Sequence, residues 1–378
     1  MRPSKSKTEP KGSPPARGPI ERFGETNGPA VLLLVGRGGG SHQFLISESS
    51  LCTLGPRWKG LLSNRSITKS KRLFSKSPKI INLQGEHPNA IRVILHIATL
   101  QFTKVPTTLD FPEIVHLAEA VARYDAHSLL VNYIDTWLAP YRERLLHPGY
   151  EEWLFIAHQF GYETEYLELS KHLAIHCRVD PTGKQLLAPE TPFVLEGKFP
   201  IDTLEHIKEG RKQILCTMLK VTYDLWASLS QGSNCKIGRE DEPNVRRRCA
   251  AVNLLELTDY LRALGLFPML KTVETFQWSP YDLSTMLADA KALIPIAATL
   301  LISRRGSAPV ESPRHGQCHI GSQLAAIPAR ILNDVAWPVG IPTLLHIKDN
   351  GGEYRLDYAY ANPCADVDGL AVQPMEFV

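Results

Sequence analysis

Nowhere does this sequence hold an uninterrupted apolar run of the length a membrane span requires, and its first residues lack the apolar centre of a secretory signal. An intracellular protein is the expectation. A surplus of one charge is also missing: Lys and Arg number 42 against 39 Asp and Glu, a formal net charge of +3. That balance gives no global electrostatic reason to expect a nucleic-acid or membrane partner. The seven cysteines are odd in number and scattered, which fits reduced thiols better than a disulfide framework. No converging acid, base and nucleophile can be read, so an enzyme is not expected. What the chain does have is bulk. Its 378 residues, 43% of them hydrophobic, are ample for a core and imply one or two domains plus tails.

The clearest stretch spans residues 111–141. Asp110, Pro112 and Glu113 spell a helix start, with an Asp to accept from orphan N–H groups, Pro in the first turn and Glu three residues after the Asp. Phe111, Ile114, Ala118 and Val121 then repeat at helical spacing, and Leu117, Ala122 and Tyr124 widen the apolar face. A second helix near residues 128–138 carries Leu130, Ile134, Trp137 and Leu138 and should close at Pro140. Upstream, an apolar run at 30–35, glycines within 36–40 and a second run at 44–46 have the shape of a hairpin. A glycine loop after a strand can cradle phosphate, but this one lacks the Gly-Lys-Ser/Thr ending and a helix opening on its last glycine. A strand at 80–83 and a helix at 90–100 follow. His96 and His116 sit among apolar neighbours and read as packing residues, without a ligand set at metal spacing.

Phe44, Pro56, Trp58 and Leu62 stand in the order of the strand-to-helix segment of the BTB/POZ domain. Leu117 and Ala118, residues 122–125, and the stretch from Tyr133 through Trp137 to Pro140 match its later helices. Trp153, Ala157, Phe160 and Gly161 continue the match. Over about residues 29–178 the chain therefore resembles the BTB/POZ family, most closely its fungal branch. The resemblance implies an α+β fold, a small sheet with a cluster of helices, at 29–140, and a helical extension at 141–180. It also implies association with itself or with other BTB chains through an apolar surface, and it permits service as substrate adaptor of a cullin-type ubiquitin ligase. Ser47 and Glu48 stand where the better-known repressor members carry His and Arg or Lys, so their charged pocket is not expected. Tandem Cys₂His₂ fingers and kelch-type repeats are missing, which removes the DNA-reading and propeller architectures.

The rest of the chain is organised around these helices. Residues 1–28 are rich in Pro, Gly, Ser and Lys and read as a disordered tail. Between Arg57 and Lys79 there are eight basic residues and no acidic one. Such a run could touch nucleic acid or direct nuclear import, but base-stacking aromatics are nearly absent and a solvated loop is the plainer reading. Phosphorylation at Ser66, Ser70 or Ser75 would reduce its charge. Residues 181–200, with Pro181, Gly183, Pro189 and Pro192, read as a linker. A helical region at 201–335 should form the all-α C-terminal half. It opens on a long amphipathic helix at 201–229 whose drifting stripe, interrupted by Arg211, favours packing within the chain over a coiled coil. Helices at 252–264, 281–301 and 324–332 follow. At 336–378 the expectation is a hairpin, turning on Asp349, Asn350, Gly351 and Gly352, and a tail.

One constellation suits a metal. His315 and Cys318 are spaced so that both can reach one ion, and thiolate with imidazole suits zinc. Cys235 and Cys249 are too far apart for a close knuckle. The resemblance to C-terminal parts of fungal BTB-like proteins implies a Cys, a second Cys before a helix and a later His-x-x-Cys, hence one structural zinc on Cys235, Cys249, His315 and Cys318. The alternative is unrelated thiols. A catalytic thiol at Cys318, activated by His315 or His319, lacks an orienting third group and a pocket.

Overall fold

A continuous apolar stretch such as Val31 to Val35 can be satisfied as a strand only if both its faces are covered, and the structure places it second from one edge of a four-stranded sheet. The computed structural model describes residues 18–25, 28–36, 42–63, 78–83, 85–231, 243–270, 272–293 and 318–354. They form a mixed α/β structure with a small sheet and many helices. Strands β1 (Ile20–Phe23), β2 (Ala30–Val35), β3 (His42–Ser47) and β4 (Lys79–Leu83) lie in the order β1-β3-β2-β4. β2 and β3 pair antiparallel, Ala30 opposite Ser47 and Val35 opposite His42, as a hairpin requires; of the glycine turn expected at 36–40, all but Gly36 lies outside the described residues.

β1 corrects the expectation of a tail over 1–28. It pairs in parallel with β3, and Phe23 is fully buried with its ring 5.2 Å from Phe44, edge to face. One aromatic anchor in a segment of polar composition escapes a compositional reading. Residues 1–17, and 64–77 of the basic run, lie outside the described residues.

Helices α1 (Glu48–Thr53) and α2 (Pro56–Ser63) follow β3, and α3 (Pro88–Ala98) follows β4. Ser47 starts α1 with its Oγ accepting from the Ser50 N–H at 3.1 Å. Then come α4 (Phe111–Tyr124), α5 (His127–Leu130) and α6 (Ile134–Arg142). The Glu113 carboxylate accepts from the Asp110 N–H at 3.4 Å, as the helix-start signature requires. Trp58 from α2 is fully buried and stacks on Tyr124 with ring centroids 4.4 Å apart. Pro140 does not close α6 but lies inside it. It is exposed, as is Thr136 one turn earlier, so water can reach the carbonyl that the proline ring leaves without a donor.

The remaining helices are α7 (Trp153–Phe160), α8 (Glu163–His176), α9 (Thr203–Ser230), α10 (Pro243–Ala263), α11 (Pro280–Leu293), α12 (Ile320–Ala325), α13 (Ile327–Asn333) and α14 (Ile341–Tyr354). The long helix α9 packs within the chain, against α8, α10 and α13. The helix expected at 281–301 is described to Leu293, and 294–301 lies outside the described residues. The buried apolar residues form one cluster that runs from the sheet through α7 and α8 to α9, α11, α12 and α14.

Residues 181–200 are not a loose linker. Two short strands, β5 (Arg178–Val179) and β6 (Leu186–Leu187), pair antiparallel, and the Asp180 carboxylate between them accepts from the Thr182, Lys184 and Gln185 N–H groups. Leu186 and Leu195 are buried, and the Lys198 N–H donates to Glu152 at 2.7 Å. The segment is a strap, with Gly183 at φ +73° in its turn and its far end tied to Glu152.

The C-terminal hairpin is also corrected. Residues 341–354 form α14, with Pro342 in its first turn and Ile347 fully buried. Gly351 makes no turn: a Cβ placed on Gly161 would stand 2.2 Å from the Gly351 nitrogen, so glycine is needed for close approach between the end of α7 and α14.

Candidate functional site

The long helix α9 reads from sequence as amphipathic with one fault, Arg211, and the fault proves to be a built feature. Arg211 is buried, and its Nε donates to the Cys177 carbonyl at 3.1 Å while Nη2 donates to those of Trp278, at 2.8 Å, and Phe276. The guanidinium thus ties α9 to the end of α8 and to the segment before α11. Burial pushes it down to about 10, still cationic at neutral pH.

On another side of α9 lies a groove of about 720 Å³. Its α9 wall runs from His206 to Val221, about 22 Å at 1.5 Å per residue. The facing wall is α13 and the segment 335–339. Ile214, Ile327, Ile331 and Val339 make the lining apolar, and Glu209 and Arg330 are charged positions along it. Glycine allows the walls to meet at one end: a Cβ on Gly210 would stand 2.6 Å from Pro338. Trp337 is half-exposed at that end, with the Lys171 ammonium 5.3 Å from its ring centroid.

A second cluster, polar and buried, joins α10 to the start of α12. The Asn253 amide donates to the Cys249 carbonyl at 3.0 Å and to its Sγ at 3.6 Å, and the same side chain accepts from the Ile320 N–H at 3.3 Å. Cys249 and Cys318 are both buried, and His319 Nδ1 lies 3.1 Å from Ser322 Oγ. One turn along α10, burial raises Glu256 above the usual carboxylate range, opposed by His319.

Two of the four expected zinc ligands, Cys249 and Cys318, are thus brought to one junction. Cys235 and His315 lie outside the described residues. Among the described residues no three His, Cys, Asp or Glu side chains come together so as to hold a metal ion. His96 is buried in packing, 3.1 Å from Gln101, and His116 stacks on His87 at 4.4 Å.

Comparison with known proteins adds no relative. No protein-family model, curated protein or solved structure matches this chain. Among the described residues, no helix is long and apolar enough to cross a membrane. Sequence reasoning missed the groove and the Asn253 junction. A glycine inside an otherwise good helix, Gly210, was the available signal for the first; a lone Asn on an apolar helix face offers none that distinguishes it from a surface residue.

Proposed function

We propose that this chain is a protein-interaction module. Its residues 29–140 act as a BTB/POZ-type unit that associates with itself or with another BTB chain, and its helical half takes an apolar-striped helix of a second protein in the groove beside α9. Support for the first part is the ordered set of motif residues, together with strands β2, β3 and β4 carrying a helix cluster, to which β1 adds an edge from residues 20–23. The outer strands β1 and β4 leave Ile20 and Ile80 half-exposed. The observation that carries the second part is the groove: four turns long, apolar in its lining, and bordered by single charged side chains, it has the dimensions of helix-in-groove recognition.

Light scattering of the full chain at high micromolar concentration should give a dimer mass; a strict monomer overturns self-association. An amphipathic helical peptide with leucines at i, i+3, i+4 and i+7 should bind saturably, and Ala326→Arg, an exposed position on the groove wall, should abolish binding. Peptide binding unchanged in that variant would remove the groove from the proposal. Capture of a cullin-type scaffold by the full chain would assign it to the ubiquitin-ligase adaptors.

A further inference from the structure

Helix α14 is held on α7 by a stacked histidine pair and an asparagine amide. His346 of α14 stacks on His158 of α7 with ring centroids 4.1 Å apart and planes 18° from parallel. The Asn350 amide nitrogen lies 3.2 Å from the His158 carbonyl, 3.1 Å from that of Gln159 and 2.9 Å from His346 Nε2. Two backbone carbonyls fix this amide with its nitrogen inward, because its oxygen could not face them. The amide has two N–H bonds for three neighbours, so one of them is shared with His346 Nε2 in the tautomer that turns its lone pair to the amide. His158 Nδ1 lies 3.0 Å from the Gln159 amide nitrogen and accepts from it in the tautomer protonated at Nε2.

From this geometry we propose that α14 is an acid-released latch: protonating His158 beneath the His346 ring expels the helix from α7 and α8. Protonating His158 puts a donor opposite the Gln159 amide nitrogen and a cation against the face of the His346 ring, on the half-buried side of a contact whose other ring is exposed. The other charged and titratable groups at this contact do not supply a compensating anion. Glu163 at the start of α8 is engaged by Lys348 of α14 at 3.7 Å, an exposed pair of small worth. Tyr166 of α8 stands 6.4 Å from the His158 ring, and Asp349 beside Asn350 is exposed.

The sign follows from linkage. Burial, with the His346 charge second, pushes His158 down to about 4 while the helix is closed. Opening removes the His346 ring and part of that burial, so His158 moves back toward the ordinary histidine value near 6.5. The latch is then intact above about pH 6.5 and is lost as pH falls toward 4, its closing constant dropping by at most about fiftyfold between pH 7 and 4.5. The inference stands on the α7–α14 contact alone and is independent of the groove reading.

Hydrogen exchange on the full chain tests it. Protection factors of peptides from α14 should fall, by up to about fiftyfold, from pH 7 to 4.5 while peptides from α4 keep theirs. In His158→Phe/His346→Gln the loss should disappear. The latch is overturned if wild-type α14 keeps its protection at pH 4.5, if α4 loses protection in step, or if the double variant responds like the wild type. Should that variant fail to fold, the ring titration of His158 in the wild-type chain decides by NMR: a midpoint below about 5.5 supports the latch and one above it overturns it.

Discussion

The sheet-bearing half and the helical half of this molecule are closed by different means. In the first, rings meet directly, Trp58 on Tyr124, Phe23 against Phe44, Phe111 against Tyr150, and the side chains Trp137 and Tyr141 that reach backbone carbonyls, those of Pro106 and Leu109, are themselves aromatic. Its buried carboxylate, Glu86, is satisfied locally by the Arg123 guanidinium and, at 2.9 Å, by the Tyr124 hydroxyl. In the second, single polar side chains reach backbone groups of a neighbouring element at the junctions: Arg211 to three carbonyls, Asn253 to Ile320, Asn350 to His158 and Gln159. Apolar contact is forgiving of small shifts, whereas a buried donor either meets its acceptor or forfeits the desolvation it has already cost.

Paired substitutions test this contrast at its largest. Trp58→Ala should lower stability by about 4 kcal/mol, the usual cost of an aromatic cavity. Arg211→Met keeps an apolar stem of similar length but strips the donors from three carbonyls, which at about 1 kcal/mol for each lost hydrogen bond amounts to about 3 kcal/mol. Urea unfolding measures both. If Arg211→Met costs under about 1 kcal/mol, the helical half is held by apolar area after all and the contrast collapses.

The same contrast explains what could be read from the sequence. In α4 the apolar spacing and the Asp110–Glu113 start agree with one another, so residue pattern and fold coincide. Pattern fails where a residue's meaning lies across the structure. Arg211 looks like a break in a stripe and is a clamp. Asn350, Gly351 and Gly352 look like a turn, yet Gly351 serves an approach to Gly161, a residue 190 positions earlier in the chain. Pro181 to Pro192 looks like a linker because composition cannot show that Asp180 gathers the backbone behind it. For the candidate site the loss is greater. The groove is made by two elements over a hundred residues apart, and only their packing creates it.

A smaller effect should appear on acidification. His172 stacks on His176 at 4.3 Å, and His176 in turn meets the Tyr281 ring of α11 at 4.6 Å. Burial, then the His176 charge, pushes His172 down to about 4, and burial lowers His176 as well. Both sit below the unfolded value near 6.5, so the unfolded chain binds more protons. The stability they contribute is complete above about pH 6.5 and is lost on acidification, that of His172 as pH falls through about 4. In the sheet-bearing half His96 is lowered too, again chiefly by burial, so the two halves differ in degree. The urea midpoint should fall between pH 7 and 4.5, and His172→Phe should flatten that fall. An equal slope in the variant would move the acid sensitivity out of the α8–α11 contact.

The smallest and most local effect concerns the strap between the halves. Asp180 accepts three backbone N–H groups and the Thr182 hydroxyl, the backbone N–H of Gln185 foremost in holding its carboxyl down at about 2. That interaction is complete above the ordinary carboxylate range near 3.9 and is lost only as pH falls through about 2, so at neutral pH the turn is always formed. Lys184 stands exposed within it, an address for trypsin that the closed turn denies, because a protease must thread an extended segment of backbone. Asp180→Ala frees four donors, all near solvent, so the cost to global stability should be slight while the turn itself frays. Trypsin should therefore cut after Lys184 promptly in Asp180→Ala and slowly in the wild-type chain, with nearly identical melting of the two proteins. Prompt cutting of the wild type at Lys184 would return residues 181–200 to a linker, and the two halves would then be joined by their helix contacts alone.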